Sequence, residues 1–116
     1  MVTETLSHTP KVIEAFVTGG GILLSGENCV DGSVLGRVTA SGKLKLAVET
    51  AVDGSQTPFA ILLEDCDAST ADKNCPLLLS GIYNEDALVF GGTLDADGVR
   101  DSLRDSGIFL KTVVGA

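Results

Sequence analysis

The chain alternates short runs of β-branched and aliphatic residues with glycine- and aspartate-rich turns, at intervals of about ten residues. This spacing is typical of a domain whose core comes from strand packing rather than helix packing. Gly32, Gly42 and Gly54 each lie in such a turn and can adopt the positive φ that tight turns require. Residues 38–44 form the clearest hairpin candidate. The predicted strands are residues 22–24, 33–39, 44–49, 59–63, 77–83 and 108–114.

One segment, residues 94–107, departs from the β pattern and is predicted to form a short helix. Asp95 or Asp97 can accept N–H hydrogen bonds as the N-cap, and apolar residues recur four apart on one face. Gly107 suits the position just after the helix. Residues 84–88 can add a helical turn. The predicted fold is therefore mainly β (α+β): a small β-rich domain with one short helix near the C-terminus and an extended N-terminal arm.

Composition excludes several classes of partner. Sixteen acidic residues against eight basic ones give a formal charge of −8, so the averaged field repels nucleic-acid backbones and anionic membranes. No apolar run approaches the roughly 20 residues that cross a bilayer. Four phenylalanines, one tyrosine and no tryptophan leave the core to Val, Leu, Ile and Ala. We expect one domain with no nucleic-acid partner and no membrane partner.

The sequence supplies little catalytic chemistry. A Ser-His or Cys-His site needs a histidine held within hydrogen-bond reach of the nucleophile, and the one histidine is His8, in a polar segment. The acidic residues Glu64, Asp65, Asp67 and Asp72 lack the glycine and the closing glutamate of an EF-hand calcium loop. Their Ser- and Ala-rich surroundings are typical of a solvated loop. We expect no enzyme activity, no cofactor and no metal site.

The three cysteines, Cys29, Cys66 and Cys75, form no CxxC pair. One of them is left unpaired in any intramolecular scheme. Reduced thiols are expected in a reducing compartment. Cys66 and Cys75 nevertheless bracket a loop of Asp, Ser and Thr, and a disulfide between them remains an alternative that depends on their Cα separation.

The N-terminal region differs from the rest of the chain. Residues 1–10 are polar, lack the basic and apolar stretches of a secretory signal, and offer little to a core. Residues 11–18 resemble a short strand or transition segment, which the three glycines at 19–21 are expected to stop. We therefore divide the chain into an arm, residues 1–18, and a β-rich domain, residues 19–116. An extended arm can add a strand to an exposed sheet edge of a partner.

Four segments of the sequence carry a family resemblance. Each is weak alone, because turn glycines beside β-branched residues are common, but together they span most of the chain in order. The segments are GSVLGRVT with SGK (residues 32–39 and 41–43), FAILLEDCDA (59–68), LSGIYNEDALVFG (79–91) and LRDSGIFLK (103–111). Together they resemble the lambda-type head decoration proteins of tailed bacteriophages. Cys66 and Ile82 stand where a valine or similar residue is expected, and both fit a core.

The resemblance implies a function. It implies a homotrimeric cement protein, made in the host cytoplasm, that binds the major capsid protein on the outer surface of the expanded virion head at local threefold sites. Such a protein stabilises the shell against the pressure of packaged DNA. Two other classes remain open. A small soluble ligand carrier or enzyme needs a concave site with perturbed ionisable groups, and a trimeric adhesin is expected to expose aromatic residues at one end.

The resemblance also implies that the arm becomes ordered against the capsid protein, in agreement with its polar composition. The predicted capsid-binding residues are Thr3, Thr5, Leu6, Thr9, Pro10, Val12, Ile13 and Phe16. Leu6 is the expected apolar anchor of the first ten residues, and the last three of the set are either further anchors or ordinary strand or core residues. Arg100 and Arg104 are expected to be solvated partners of helix aspartates, or to contact the capsid or another subunit.

Overall fold

The computed structural model describes residues 12–92 and 94–111. Within these residues lie eight strands, one α-helix and a 3-10 turn. The strands are β1 (Val12–Leu23), β2 (Asn28–Cys29), β3 (Val34–Arg37), β4 (Leu44–Leu46), β5 (Pro58–Leu62), β6 (Cys66–Asp67), β7 (Lys73–Asn84) and β8 (Ile108–Lys111). The 3-10 turn covers Glu85–Ala87, and helix α1 covers Ala96–Ser106. The predicted fold class, mainly β with a short helix near the C-terminus, is confirmed.

Five of the strands close into a small barrel. They neighbour one another in the order β1, β4, β3, β5, β7, and β7 pairs again with β1. The two closing contacts are very unequal: β1 is antiparallel to β7 from Val12 to Leu23, but meets β4 only where Leu23 pairs with Leu44. β8 lies parallel to β7 beyond the residues that pair with β5. The barrel is therefore closed most weakly between β1 and β4.

The central strands β3, β5 and β7 bury side chains on both faces, because successive residues of a strand point to opposite sides. On β5, Ala60 and Leu62 belong to one apolar cluster and Ile61 to another. The first cluster receives side chains from all five barrel strands and fills the barrel interior. The second lies between the sheet and α1, whose Val99 and Leu103 are fully buried. Because both faces are buried, the sequences of these strands are continuous apolar runs and do not alternate between apolar and polar residues.

Helix α1 begins and ends as its sequence predicts. The Asp95 side chain accepts a hydrogen bond from the backbone N–H of Gly98 at 2.8 Å, and Gly107 follows the helix with φ +97°. Arg100 does more than pair with an aspartate of its own helix: it also donates to Glu85, with Nη2 3.0 Å from Oε2, and so joins α1 to the 3-10 turn. The part of the chain that the structure describes contains no helix with the length and apolarity of a membrane span.

The predicted glycine turns are confirmed. Gly32, Gly42 and Gly54 have φ values of +93°, +74° and +103°. The predicted hairpin joins β3 to β4, and its loop is held by a hydrogen bond from the Val38 N–H to the Lys43 carbonyl at 2.8 Å.

The expectation that three glycines stop the first strand is wrong, because β1 continues through them to Leu23. Barrel side chains occupy the space that their side chains would need. A Cβ on Gly21 would lie 2.6 Å from Leu44 Cδ1 and 2.7 Å from Leu77 Cδ1, and a Cβ on Gly19 would lie 2.8 Å from a Cδ atom of β7. Glycine here permits close packing against the barrel interior rather than a turn.

The cysteines also differ from the state expected in a reducing compartment. Cys66 and Cys75 are joined by a disulfide, with their Cα atoms 6.3 Å apart, because β6 and the start of β7 lie side by side at the ends of the intervening loop. Cys29 is free and buried.

The glycine contacts predict opposite outcomes for two adjacent substitutions. Gly21→Val should lower the free energy of unfolding by about 1–3 kcal/mol, because it overpacks the barrel interior. Gly20→Val is the matched control, since the nearest atom to a Cβ there is the Cys75 carbonyl oxygen at 3.9 Å; valine should cost nothing or stabilise slightly. Urea denaturation followed by circular dichroism measures both, and equal losses of stability would contradict this account of β1.

Candidate interaction site

Among the described residues, one edge of β1 has no strand neighbour over most of its length. β7 pairs with the other edge along the whole strand, while β4 meets the first edge only at Leu23. Within residues 12–92 and 94–111, no other strand pairs with residues 12–22. Their outward N–H and C=O groups form a template on which another extended segment can pair.

Large apolar side chains lie along this free edge. Phe16, Val17 and Ile22 are 55%, 52% and 41% exposed. Ile13 and Phe16 are the extra residues at two irregularities in the β1–β7 register. Such bulges increase the local twist and redirect side chains, so they help to turn Phe16 away from the core. The free edge therefore combines backbone hydrogen-bonding groups with apolar side chains.

Of the predicted site residues, some lie outside the described residues and the others lie on β1. Thr3, Thr5, Leu6, Thr9 and Pro10 lie outside the described residues. Val12 is half-buried and packs against the cluster beneath α1, Ile13 is half-buried, and Phe16 is exposed. Sequence reasoning placed Val17 in the first segment but not among the contact residues, and it missed Ile22 because it ended that segment at the glycines. The signal that could have found them is the apolar residues on both sides of the glycines.

A pocket of about 220 Å³ adjoins the last third of β1, next to the single β1–β4 pair. The Arg37 guanidinium carbon lies 5.7 Å from the centre of the Phe59 ring at this pocket, a cation–π distance. The pocket gives the free edge an apolar recess with one cation beside it. Its lining residues are Gly20, Gly21, Arg37, Gly42, Leu44, Phe59, Leu77 and Leu79.

Two of the acidic residues that lack the EF-hand pattern, Asp65 and Asp72, hold loops together. Asp65 accepts a hydrogen bond from the Asp31 N–H at 2.8 Å. Asp72 pairs with Lys43 at 2.6 Å and accepts from the Ser25 N–H at 2.8 Å, and these contacts, the lysine's first, lower the pKa of Asp72. Among the described residues, no group of three or more His, Cys, Asp or Glu side chains is arranged to hold a metal ion.

Comparison with known families decides which proteins this chain is related to. The family model for the bacteriophage lambda head decoration protein D matches residues 13–108, from the free edge of β1 through the barrel and α1. The chain belongs to this family. The family that the four sequence segments predict is confirmed. No curated protein matches the sequence.

Membership in the lambda head decoration family gives the chain its general role. It is a capsid decoration protein of a phage head, associated with the capsid in the virion. The family is a structural one and does not form a class of enzymes.

The position of β1 against β7 predicts a local effect of one substitution. Gly81 has φ +154°, and a Cβ there would contact the Glu14 carbonyl oxygen and lie 3.1 Å from the Ala15 Cα. Gly81→Ala should detach the first half of β1 while the barrel stays folded. Strain of about 1–3 kcal/mol raises the population of the opened strand, so cleavage after Glu14 by a glutamate-specific protease should accelerate about tenfold or more.

The control for this prediction is Gly26→Ala. Gly26 also has a positive φ, +102°, but a Cβ there would meet nothing within 4 Å. Its substitution should leave the cleavage rate after Glu14 unchanged, as measured by mass spectrometry of the fragments. Equal acceleration in both variants would show that general loss of stability, and not the β1–β7 contact, exposes this site.

Proposed function

We propose that this chain coats the outer surface of the expanded phage head as a homotrimer, bound to the major capsid protein at local threefold sites. There it strengthens the shell against the pressure of packaged DNA, as a structural clamp and not as an enzyme. Two observations support the proposal: the family match over residues 13–108 and the free edge of β1. The proposal depends mainly on the free edge, because it supplies a surface on which a partner segment can dock.

Residues 1–18 are the main capsid contact in this proposal. Residues 1–11 directly precede the strand whose edge is free, so arm and edge form one continuous stretch of sequence. An extended segment of the major capsid protein can pair with residues 12–22 through main-chain hydrogen bonds, and its side chains can pack on Phe16 and Val17. Strand addition of this kind gives affinity through the backbone and specificity through alternate side chains.

The apolar residues of the edge suit a contact of moderate strength. Full burial of an exposed apolar side chain contributes about 1.5–3 kcal/mol, and Phe16, Val17 and Ile22, which are 55%, 52% and 41% exposed, can each gain about half of that. Part of this gain is offset by the loss of freedom on association. Three such contacts in one trimer would bind together with a high effective concentration, so individually weak interfaces would hold firmly at a threefold site.

The charge of the chain agrees with a position outside the shell. A formal charge of −8 opposes binding to packaged DNA and keeps the unbound protein soluble.

A ligand carrier or enzyme is less well supported. The pocket beside β1, at about 220 Å³, is smaller than the roughly 300–1,000 Å³ of typical ligand sites. The carboxylates of Asp53 and Asp72 have lowered pKa values, but hydrogen bonds at the surface cause the shifts, from Ser55 to Asp53 and, first, from Lys43 to Asp72. Neither carboxylate lines the pocket.

Deletion of residues 1–10 tests the proposed role of the arm, which binds together with the edge as one continuous stretch. The intact chain should be a trimer by light scattering and should co-sediment with expanded shells but not with unexpanded ones. A chain without residues 1–10 should remain a folded trimer and fail to coat expanded shells. Full binding by the truncated chain would refute the role of the arm. A monomer without preference for either shell would favour the carrier alternative.

Substitutions of two similarly exposed phenylalanines distinguish binding at the edge of β1 from binding elsewhere on the surface. Phe16, on β1, is 55% exposed, and Phe109, on β8, is 45% exposed. Phe16→Ser should weaken binding to expanded shells by about tenfold or more, because a buried aromatic contact is lost. Phe109→Ser is the matched control and should bind like the unsubstituted chain. Unchanged binding by Phe16→Ser, or equal losses in both variants, would contradict docking on β1.

A further inference from the structure

The three cysteines lie together in the barrel interior. Cys29, Cys66 and Cys75 are each at most 4% exposed and belong to one apolar cluster. Cys66 and Cys75 form the disulfide, and Cys29 is a free thiol. In the antiparallel pair of β2 and β6, Cys29 is the residue directly opposite Cys66. The free thiol is therefore placed beside one end of an existing disulfide.

Cys66 has two partners within disulfide reach. Residues directly opposite each other in an antiparallel pair have Cα atoms about 4.5–5.5 Å apart, which lies within the range of about 4.4–6.8 Å for disulfides. The 6.3 Å separation of Cys66 and Cys75 lies within it too. We propose that the three cysteines form an internal thiol–disulfide exchange site in which Cys66 is shared and pairs with either Cys75 or Cys29.

The exchange step conserves atoms and electrons. The thiolate of Cys29 attacks the Sγ of Cys66, the Cys29–Cys66 bond forms, and the Cys66–Cys75 bond breaks. Cys75 leaves as a thiolate and takes up, through solvent, the proton that Cys29 released. Forming the first disulfide from three thiols requires a two-electron oxidant, for which oxidised glutathione serves and is itself reduced to two glutathione thiols.

The surroundings of Cys29 slow its attack on the link that the structure contains. Burial, and to a lesser extent the nearby Glu27 carboxylate, raise the pKa of Cys29 to about 11. The attacking species is the thiolate, so a thiol that holds its proton at neutral pH attacks slowly. The Cys66–Cys75 link is therefore exchanged slowly once it has formed.

The choice of link decides which strands are tied. Cys75 pairs with Gly21 of β1 across the β1–β7 ladder. The Cys66–Cys75 link therefore ties β6 to the end of β7 that supports β1, next to the pocket. The Cys29–Cys66 link ties β2 to β6 instead and releases β7. This inference does not depend on capsid binding, because it concerns the isolated chain.

Peptide mapping distinguishes every pairing, since trypsin cleavage after Arg37 and Lys73 places each cysteine in a different peptide. The full chain is reduced, oxidised with glutathione, acid-quenched, alkylated and digested without reduction. The Cys66–Cys75 peptide pair should dominate at equilibrium, and the Cys29–Cys66 pair should appear during the time course. A time course with no Cys29–Cys66 pair, or with Cys29 linked mainly to Cys75, would overturn the proposal.

Two substitutions sharpen the test. Cys75→Ser should convert the chain almost completely to the Cys29–Cys66 link under the same oxidant. Cys66→Ser removes the shared residue, and its two remaining cysteines should stay as thiols. Free Cys29 and Cys66 thiols in a folded Cys75→Ser chain would refute the exchange site, as would a Cys29–Cys75 link in Cys66→Ser. Circular dichroism checks the folding of each variant, and the unsubstituted time course decides the matter if either fails to fold.

Discussion

Strand β7 is the element on which the other parts of the structure depend. One of its edges carries β1 over the full length of that strand, and the other carries β5 and then β8. Its side chains fill both apolar clusters, with Leu77 in the barrel interior and Leu78 and Tyr83 on the side of α1. β7 occupies one edge of β1, and β4 touches the other only at Leu23. Within the part of the chain that the structure describes, the architecture that forms the core therefore also leaves a free strand edge.

Features set by neighbouring residues could be predicted from the sequence. The turn glycines Gly32, Gly42 and Gly54 have the predicted backbone, and α1 has the Asp95 cap and the Gly107 stop, because each depends on residues a few positions away. The course of β1 could not be predicted in the same way. Its glycines pack against leucines contributed by distant strands, and local sequence makes the same glycines resemble a turn.

The candidate site shows the same division. Composition and family resemblance predict contacts in the N-terminal region, Phe16 among them. A free edge, however, is a property of strand pairing, which no single segment encodes. The cysteine cluster was hidden for a related reason. The strands β2 and β6 have two residues each, too few for a recognisable pattern, and only their register places Cys29 opposite Cys66.

In the proposed function, the free edge of β1 is where the protein meets the capsid. Hydrogen exchange of the backbone amides, measured by mass spectrometry on the free protein and on the protein bound to expanded heads, tests it most directly. The account predicts that amides of residues 13–22 pointing away from β7 exchange quickly in the free protein and become protected on binding. Unchanged exchange over these residues, with protection appearing only elsewhere, for instance on α1, would contradict it.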